Sequence, residues 1–128
     1  MSQELRFCAT HQWAQREGAN RVRVGISEHA AEALGDIVYV ELPEPGKQFH
    51  AGDVISGIES VKTASEIQSP VSGHLVECNQ ALDAAPELLN DAPLETWVFV
   101  LECDPAELDE EWQDLMDAPT YATLLETL

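Results

Sequence analysis

Turn-forming residues recur along this chain about every 8–12 residues, with short β-branched and aromatic runs between them. That rhythm restricts the fold to a small β sandwich or barrel. The punctuation is Gly18-Ala19-Asn20, Pro43-Glu44-Pro45-Gly46, Gly52-Asp53 and the Pro70 to Gly73 turn. Residues 5–25 read as short strands, and Arg21-Val22-Arg23-Val24-Gly25 alternates polar and apolar as a half-buried strand does. Ile37-Val38-Tyr39-Val40, Val54 to Glu59, Glu66-Ile67-Gln68 and Leu75 to Cys78 supply further strands. Trp97 to Leu101 is continuously apolar, the pattern of a strand buried on both faces. Two Pro/Gly turns flank the segment around Lys62. Two similar half-units about one central hairpin suit a flattened barrel of two stacked sheets.

Helical signals are few. Ser27 is a good N-cap for Glu28 to Leu34, and Gly35 is a left-handed stop. Pro86-Glu87-Leu88-Leu89 reads as one helical turn with Pro at its start. Asp104-Pro105-Ala106-Glu107 is a helix-start signature, followed by a stripe of Leu108, Trp112, Leu115 and Met116. Pro119 ends that stripe, and Thr120 is expected to cap a last helix carrying Tyr121, Leu124, Leu125 and Leu128.

Charge removes several functions. There are 24 acidic residues against six basic ones, a net charge of −18. Such a surface repels phosphate backbones and anionic lipid, so nucleic acid and membrane are excluded as expected partners, whereas basic docking surfaces are favoured. The same acidity also serves solubility alone. Three scattered cysteines, Cys8, Cys78 and Cys103, form no C-x-x-C pair. They read as reduced thiols filling apolar space. The start, Met1 to Arg6, lacks an apolar signal region, and no apolar run reaches the roughly 18 residues that span a bilayer. The expectation is a cytoplasmic protein, one domain over residues 1–128.

Chemistry-bearing motifs are absent save one. The four histidines, His11, His29, His50 and His74, show no metal-ligand spacing. There is no P-loop and no G-x-S-x-G elbow. Only two lysines exist, Lys47 and Lys62. Strand-like residues on both sides of Ser60-Val61-Lys62-Thr63 place Lys62 at a hairpin tip. A covalently attached carrier needs that geometry, because the amine must reach a modifying enzyme and the arm must then enter other active sites. Position alone leaves open an ordinary solvated turn lysine.

Glu59-Ser60-Val61-Lys62-Thr63-Ala64-Ser65, with Pro70-Val71-Ser72-Gly73 beyond it, closely resembles the H protein of the glycine cleavage system. His11-Gln12-Trp13, Val24-Gly25-Ile26, Ala33 to Val38, Glu41-Leu42-Pro43, Gly46, Ala51-Gly52, Asn79, Pro86 to Asn90 and Trp97 match in order, so the likeness covers nearly the whole chain. The resemblance implies a mainly β, lipoyl-domain-like barrel sandwich with a short helix after the early strands and helices at the C-terminus. It implies lipoic acid on Lys62, with Glu59, Ser60, Val61 and Thr63 flanking it. It implies a carrier rather than an enzyme. A lipoate ligase or lipoyl/octanoyl transferase would modify Lys62. The arm would then meet the pyridoxal-phosphate glycine decarboxylase (P protein), the folate-dependent aminomethyltransferase (T protein) and the flavin dihydrolipoyl dehydrogenase (L protein). Lipoyl domains of 2-oxoacid dehydrogenases and biotin carriers share the architecture, but they typically flank the lysine as Asp-Lys-Ala or Met-Lys-Met. Val61 and Thr63 favour the H protein. An H-like lipoyl donor to other enzymes stays open.

The chain departs from the family in two places. The family usually carries His-Glu-Trp where this chain has His11-Gln12-Trp13, so no carboxylate stands there to pair with the ammonium of a loaded arm. The family's glycines before the late tryptophan are missing from Asp91 to Thr96. The loaded arm is expected to fold back into a groove near the early strands, lined by His11 and Gln12.

Overall fold

The computed structural model describes residues 4–128; Met1 to Gln3 of the start read above lie outside the described residues. The early alternation builds an antiparallel meander, β1 (Leu5–Phe7), β2 (Gln12–Glu17) and β3 (Arg21–Ile26). The helix α1 (Glu28–Leu34) follows. Ser27 caps it by accepting from the Ala30 N–H at 3.2 Å, and Gly35 ends it at φ 76°, a value that favours glycine.

Next come β4 (Ile37–Val40), β5 (Gln48–Phe49), β6 (Val54–Ser60), β7 (Ala64–Gln68) and β8 (Gly73–Cys78). Two short helices, α2 (Ala81–Ala84) and α3 (Leu88–Asp91), precede β9 (Phe99–Glu102). The chain closes with α4 (Pro105–Asp114) and α5 (Ala118–Glu126). Among the described residues the strands form two antiparallel sheets. One is six-stranded in the order β1-β2-β3-β9-β8-β5, the other three-stranded in the order β4-β6-β7.

Inward residues of both sheets share one core. Val22, Val24, Leu75, Phe99 and Leu101 from the larger sheet meet Val40, Ile58 and Ile67 from the smaller, and Ala31 and Leu34 of α1 join them. Burying these side chains supplies the main driving force for the sandwich, at about 1.5–3 kcal/mol for each large one. The barrel-sandwich expectation is met.

Four local readings shift. The Pro86 turn starts as read, but helical pairing is regular only from Leu88. β9 begins at Phe99 rather than Trp97, because the side chain of Asn79 donates to the Trp97 carbonyl at 2.7 Å and takes that oxygen from the ladder. Met116 leaves the α4 stripe and pairs with Phe7, each N–H donating to the other's carbonyl at 2.8 Å. Asp117, not Thr120, caps α5. Its carboxylate accepts from the Thr120 N–H at 2.9 Å, and a charged acceptor outcompetes a hydroxyl there. The stripe's Leu108 is fully buried, and Tyr121 of α5 packs flat on Phe7, so both C-terminal helices cover the sandwich.

Candidate functional site

β6 and β7 pair with Glu59 opposite Ala64, and Ser60, Val61, Lys62 and Thr63 close the hairpin between them. The turn is locked from inside. Ser60 N–H donates to the Thr63 carbonyl at 2.8 Å. The Ser60 hydroxyl accepts from the N–H groups of Lys62 (3.2 Å) and Thr63 (3.1 Å). One serine therefore fixes two of the backbone amides at the tip, those of Lys62 and Thr63. Lys62 itself is exposed, as are Glu59, Val61 and Thr63, while Ser60 is half-buried.

The tip is also tied sideways. Val61 N–H donates to the Asp36 carbonyl at 3.0 Å, joining the hairpin to the loop between α1 and β4. That loop is clamped by Asn90 of α3, whose amide nitrogen donates to the Gly35 carbonyl (2.7 Å) and whose amide oxygen accepts from Ile37 N–H (2.9 Å). Gly35 has a second role besides ending α1. A β-carbon there would fall 2.8 Å from Cε of Lys62, so the lysine stem lies across the glycine. Sequence reading gave Gly35 as a helix stop and as part of a family match, and gave Asn90 no role beyond a family match.

Removing the clamp has a readable effect. Asn90→Ala leaves two backbone groups without partners, which costs about 1–3 kcal/mol. The expected outcome is a Tm lowered by several degrees and slower modification of Lys62, measured by thermal unfolding and by intact mass against time. Equal rates would mean that the α1–β4 loop does not position the tip.

Beside the hairpin, between α1 and the β1–β2 turn, lies a cleft of about 280 Å³. Thr10, His11, Gln12, His29, Thr63 and Glu66 line it. The groove expected near His11 and Gln12 is therefore present, and the hairpin forms part of its wall. Gln12 is buried, and both its amide oxygen and its amide nitrogen are hydrogen-bonded. Its oxygen accepts from the Thr10 hydroxyl and from the Cys8 thiol at 3.2 Å, and its nitrogen donates to the Thr10 carbonyl at 3.0 Å.

His11 is held by the C-terminal helix. Its Nδ1 lies 2.7 Å from the Tyr121 hydroxyl, which donates to Ser27 Oγ at 2.8 Å. Tyr121 thus accepts from Nδ1–H, and Nε2 keeps its lone pair. The His29 ring sits 4.5 Å away, centre to centre. Burial, and then the repulsion of a charged His29, hold His11 below the usual 6.5. At neutral pH its imidazole is uncharged. Sequence reading had no signal for the Tyr121 link, which spans most of the chain.

Two of the three cysteines are placed as read; Cys8 is only partly buried, with its thiol against the polar groups of Thr10 and Gln12. Cys78 and Cys103 are buried. Burial raises both thiols, and for Cys103 the carboxylates of Glu111 and Glu107 add to the effect and push it up to about 12. Neither is a nucleophile near neutral pH. Among the described residues there is no group of three or more side chains able to hold a metal ion, and no helix is long and apolar enough to cross a membrane.

A β sandwich that offers an exposed amine on a locked hairpin, beside a cleft, defines a class: a carrier domain. Comparison with known proteins gives the particular family. The family model for the glycine cleavage H-protein matches residues 5–128. Glycine cleavage system H protein 2 of Pseudomonas syringae pv. tomato is 52% identical over 118 residues, covering 92% of this chain and 91% of that protein. The probable glycine cleavage system H protein of Thermococcus gammatolerans is 49% identical over 124 residues, covering 97% of this chain and 91% of that protein. The crystal structure of a glycine cleavage system H protein from Mycobacterium marinum superposes with a TM-score of 0.84 at 32% identity, covering 98% of this chain and 99% of that one. The chain belongs to the glycine cleavage H-protein family. It is a lipoyl carrier protein of the glycine cleavage system, not itself a catalyst.

Proposed function

We propose that Lys62 is the residue that carries lipoic acid, in amide linkage to Nζ, and that the chain works as one carrier domain over residues 1–128. The observation that carries this reading is the exposed Lys62 on a turn whose Lys62 and Thr63 amides are fixed by the Ser60 hydroxyl. The residues present fit the group: the stem lies free of a β-carbon over Gly35, and the adjoining cleft has room for a folded-back arm. When bound on Lys62, lipoic acid would supply a redox-active dithiolane able to carry an aminomethyl group, with the flavin of dihydrolipoyl dehydrogenase as the oxidant that regenerates the disulfide. The chain's own part is to hold the root of the arm at a fixed point. The cleft wall at Thr10, His11, Gln12 and Glu66 shields the cargo from water. Intact mass and peptide mapping of the protein from its host test the site. A lipoyl increment on the peptide containing Lys62 is expected; an octanoyl or biotinyl increment, or one on Lys47, would sink the reading.

The partners proposed are glycine decarboxylase (P protein), aminomethyltransferase (T protein), dihydrolipoyl dehydrogenase (L protein) and a lipoate ligase or lipoyl/octanoyl transferase, meeting the carrier in the cytoplasm. The net charge of −18 supports docking on basic surfaces. Exposed charges are screened beyond about 8–10 Å at 0.1–0.15 M salt. Rates with these partners, measured from about 20 to 300 mM salt, are expected to fall as salt rises. A flat profile would mean that the acidity serves solubility alone.

A further inference from the structure

An antiparallel sheet with one face on the core ordinarily turns a polar face to water. The three-stranded sheet departs from that rule beside Lys62. Ile37 of β4 pairs with Ser60 and Tyr39 pairs with Glu59, so β4 advances two residues while β6 advances one. Such a β-bulge re-aims the side chains around it. Simple alternation from the buried Ile37 would turn Tyr39 inward. Instead Val38 and Tyr39 both face outward, 54% and 50% exposed, before Val40 is buried again. Val61, 66% exposed, stands beside them, because its N–H donates to the carbonyl of Asp36 just ahead of β4. Three of the five exposed large apolar side chains among the described residues thus lie at one end of one sheet, next to the root of Lys62.

We propose that Val38, Tyr39 and Val61 form the docking surface for the enzyme that acylates Lys62. This rests on the reading of Lys62 as the lipoyl anchor. Reach selects that occupant. In the acylation, Nζ of Lys62 attacks the carbonyl carbon of a lipoyl group activated as an acyl-adenylate. The amide bond forms, the carbon–oxygen bond to phosphate breaks, and AMP and a proton leave. Nζ stands only about 6 Å from its Cα even with the stem extended. The acylating enzyme must therefore press against the tip, and β4 is the strand beside it. An enzyme that acts on the finished arm meets its sulfur atoms more than about 12 Å away and has no need of β4.

The patch suits such a contact. Its rim is acidic: Asp36 precedes β4, and Glu59 stands opposite Tyr39 across the ladder, both exposed. The partner surface that fits is apolar at its centre with lysine or arginine around it. Tyrosine is among the residue types that carry most of the energy in contacts of this kind. The patch is also held rigid, by Val61 on Asp36 and by the Asn90 amide oxygen on Ile37 N–H at 2.9 Å, so docking costs little ordering. It accounts as well for the choice between the two lysines. Lys47 is exposed too, but no exposed large apolar side chain lies in its loop between β4 and β5.

The test uses the full, unmodified chain with lipoate ligase, lipoate and ATP, and follows acylation by intact mass while the carrier concentration is varied. Val38→Thr combined with Tyr39→Thr removes the apolar surface and keeps β-branched residues in the strand. KM for the carrier is expected to rise about tenfold with kcat little changed, the mark of lost docking rather than lost chemistry. Tyr39→Phe alone is expected to keep the parent KM, as is Val54→Thr at the far end of β6. Thermal unfolding shows whether each variant is folded. Val61→Thr lies outside the strands; it is expected to raise KM severalfold and takes the place of the double variant should that one not fold. Once fully lipoylated, the variant is expected to be reduced by dihydrolipoyl dehydrogenase and NADH at the parent's rate. An unmoved KM in the folded variant overturns the proposal. So does an equal fall in the dehydrogenase rate, which would make the patch a general docking face. A parent chain acylated on Lys47, or not at all, overturns the reading of Lys62 and this inference with it. Acylation on Lys62 with an unmoved KM overturns this inference alone.

Discussion

Lys62→Arg is expected to fold as the parent does and to accept no lipoate at all. The side chain is exposed, and the turn beneath it is held by the Ser60 hydroxyl and by Val61 on Asp36, neither of which the substitution touches. A surface change of this kind moves stability by no more than about 0.5 kcal/mol. Arginine keeps the charge and much of the length, so docking of a modifying enzyme is preserved. It stays protonated in proteins and offers no nucleophilic nitrogen. The loss is therefore chemical and complete. Intact mass after incubation with a lipoate ligase reads it directly, and glycine cleavage reconstituted with the P, T and L partners is expected to stop. Persisting modification would move the site to Lys47, which lies in the loop just before β5 with its Nζ 5.6 Å from the Phe49 ring centre.

Gly25→Ala is expected to have the largest effect on stability, about 3 kcal/mol or more, although it adds a single methyl group. Trp13 and Gly25 are direct partners across β2 and β3. The indole of Trp13 is 2% exposed and lies flat on the glycine, so a β-carbon at Gly25 would stand 2.4 Å from its Cε2. The ring cannot retreat, because its Nε1–H donates to the Pro93 carbonyl at 2.8 Å. Either that bond breaks or the strand bends. Denaturant unfolding measures the loss. A change below about 0.5 kcal/mol would show that the indole has room to move. The neighbouring His11 and Gln12 share this strand end, so the cleft is expected to loosen with it.

The strands were legible because their signal is local. Alternation at Arg21 to Gly25 and the Pro/Gly turns carry their own period, and they gave the meander and the sandwich. Lys62 was legible as a hairpin amine for the same reason, and its flanking motif identified the family. What escaped was set by partners far apart in the chain. Asn90 reaches Gly35 and Ile37 across 55 and 53 positions, and Tyr121 reaches His11 across 110. No window of sequence contains both ends of such a bond. Cap choice escaped for a different reason. Asp117 and Thr120 are both good caps, and only the path of the chain after Met116 decides between them.

The tie between Val61 and Asp36 sets a mechanical tolerance. Lys62 extended by the acyl group proposed for it would be a lever of about ten bonds, roughly 12 Å. A tilt of about 10° at its root would sweep the far end through about 2 Å, while a misplacement of about 1 Å is enough to slow a reaction about a hundredfold. The accuracy demanded at the distant end is thus a demand for stiffness at the root. The backbone amides of Ser60, Val61, Lys62 and Thr63, each given a fixed acceptor, provide it. The arm can be loose only because its pivot is rigid.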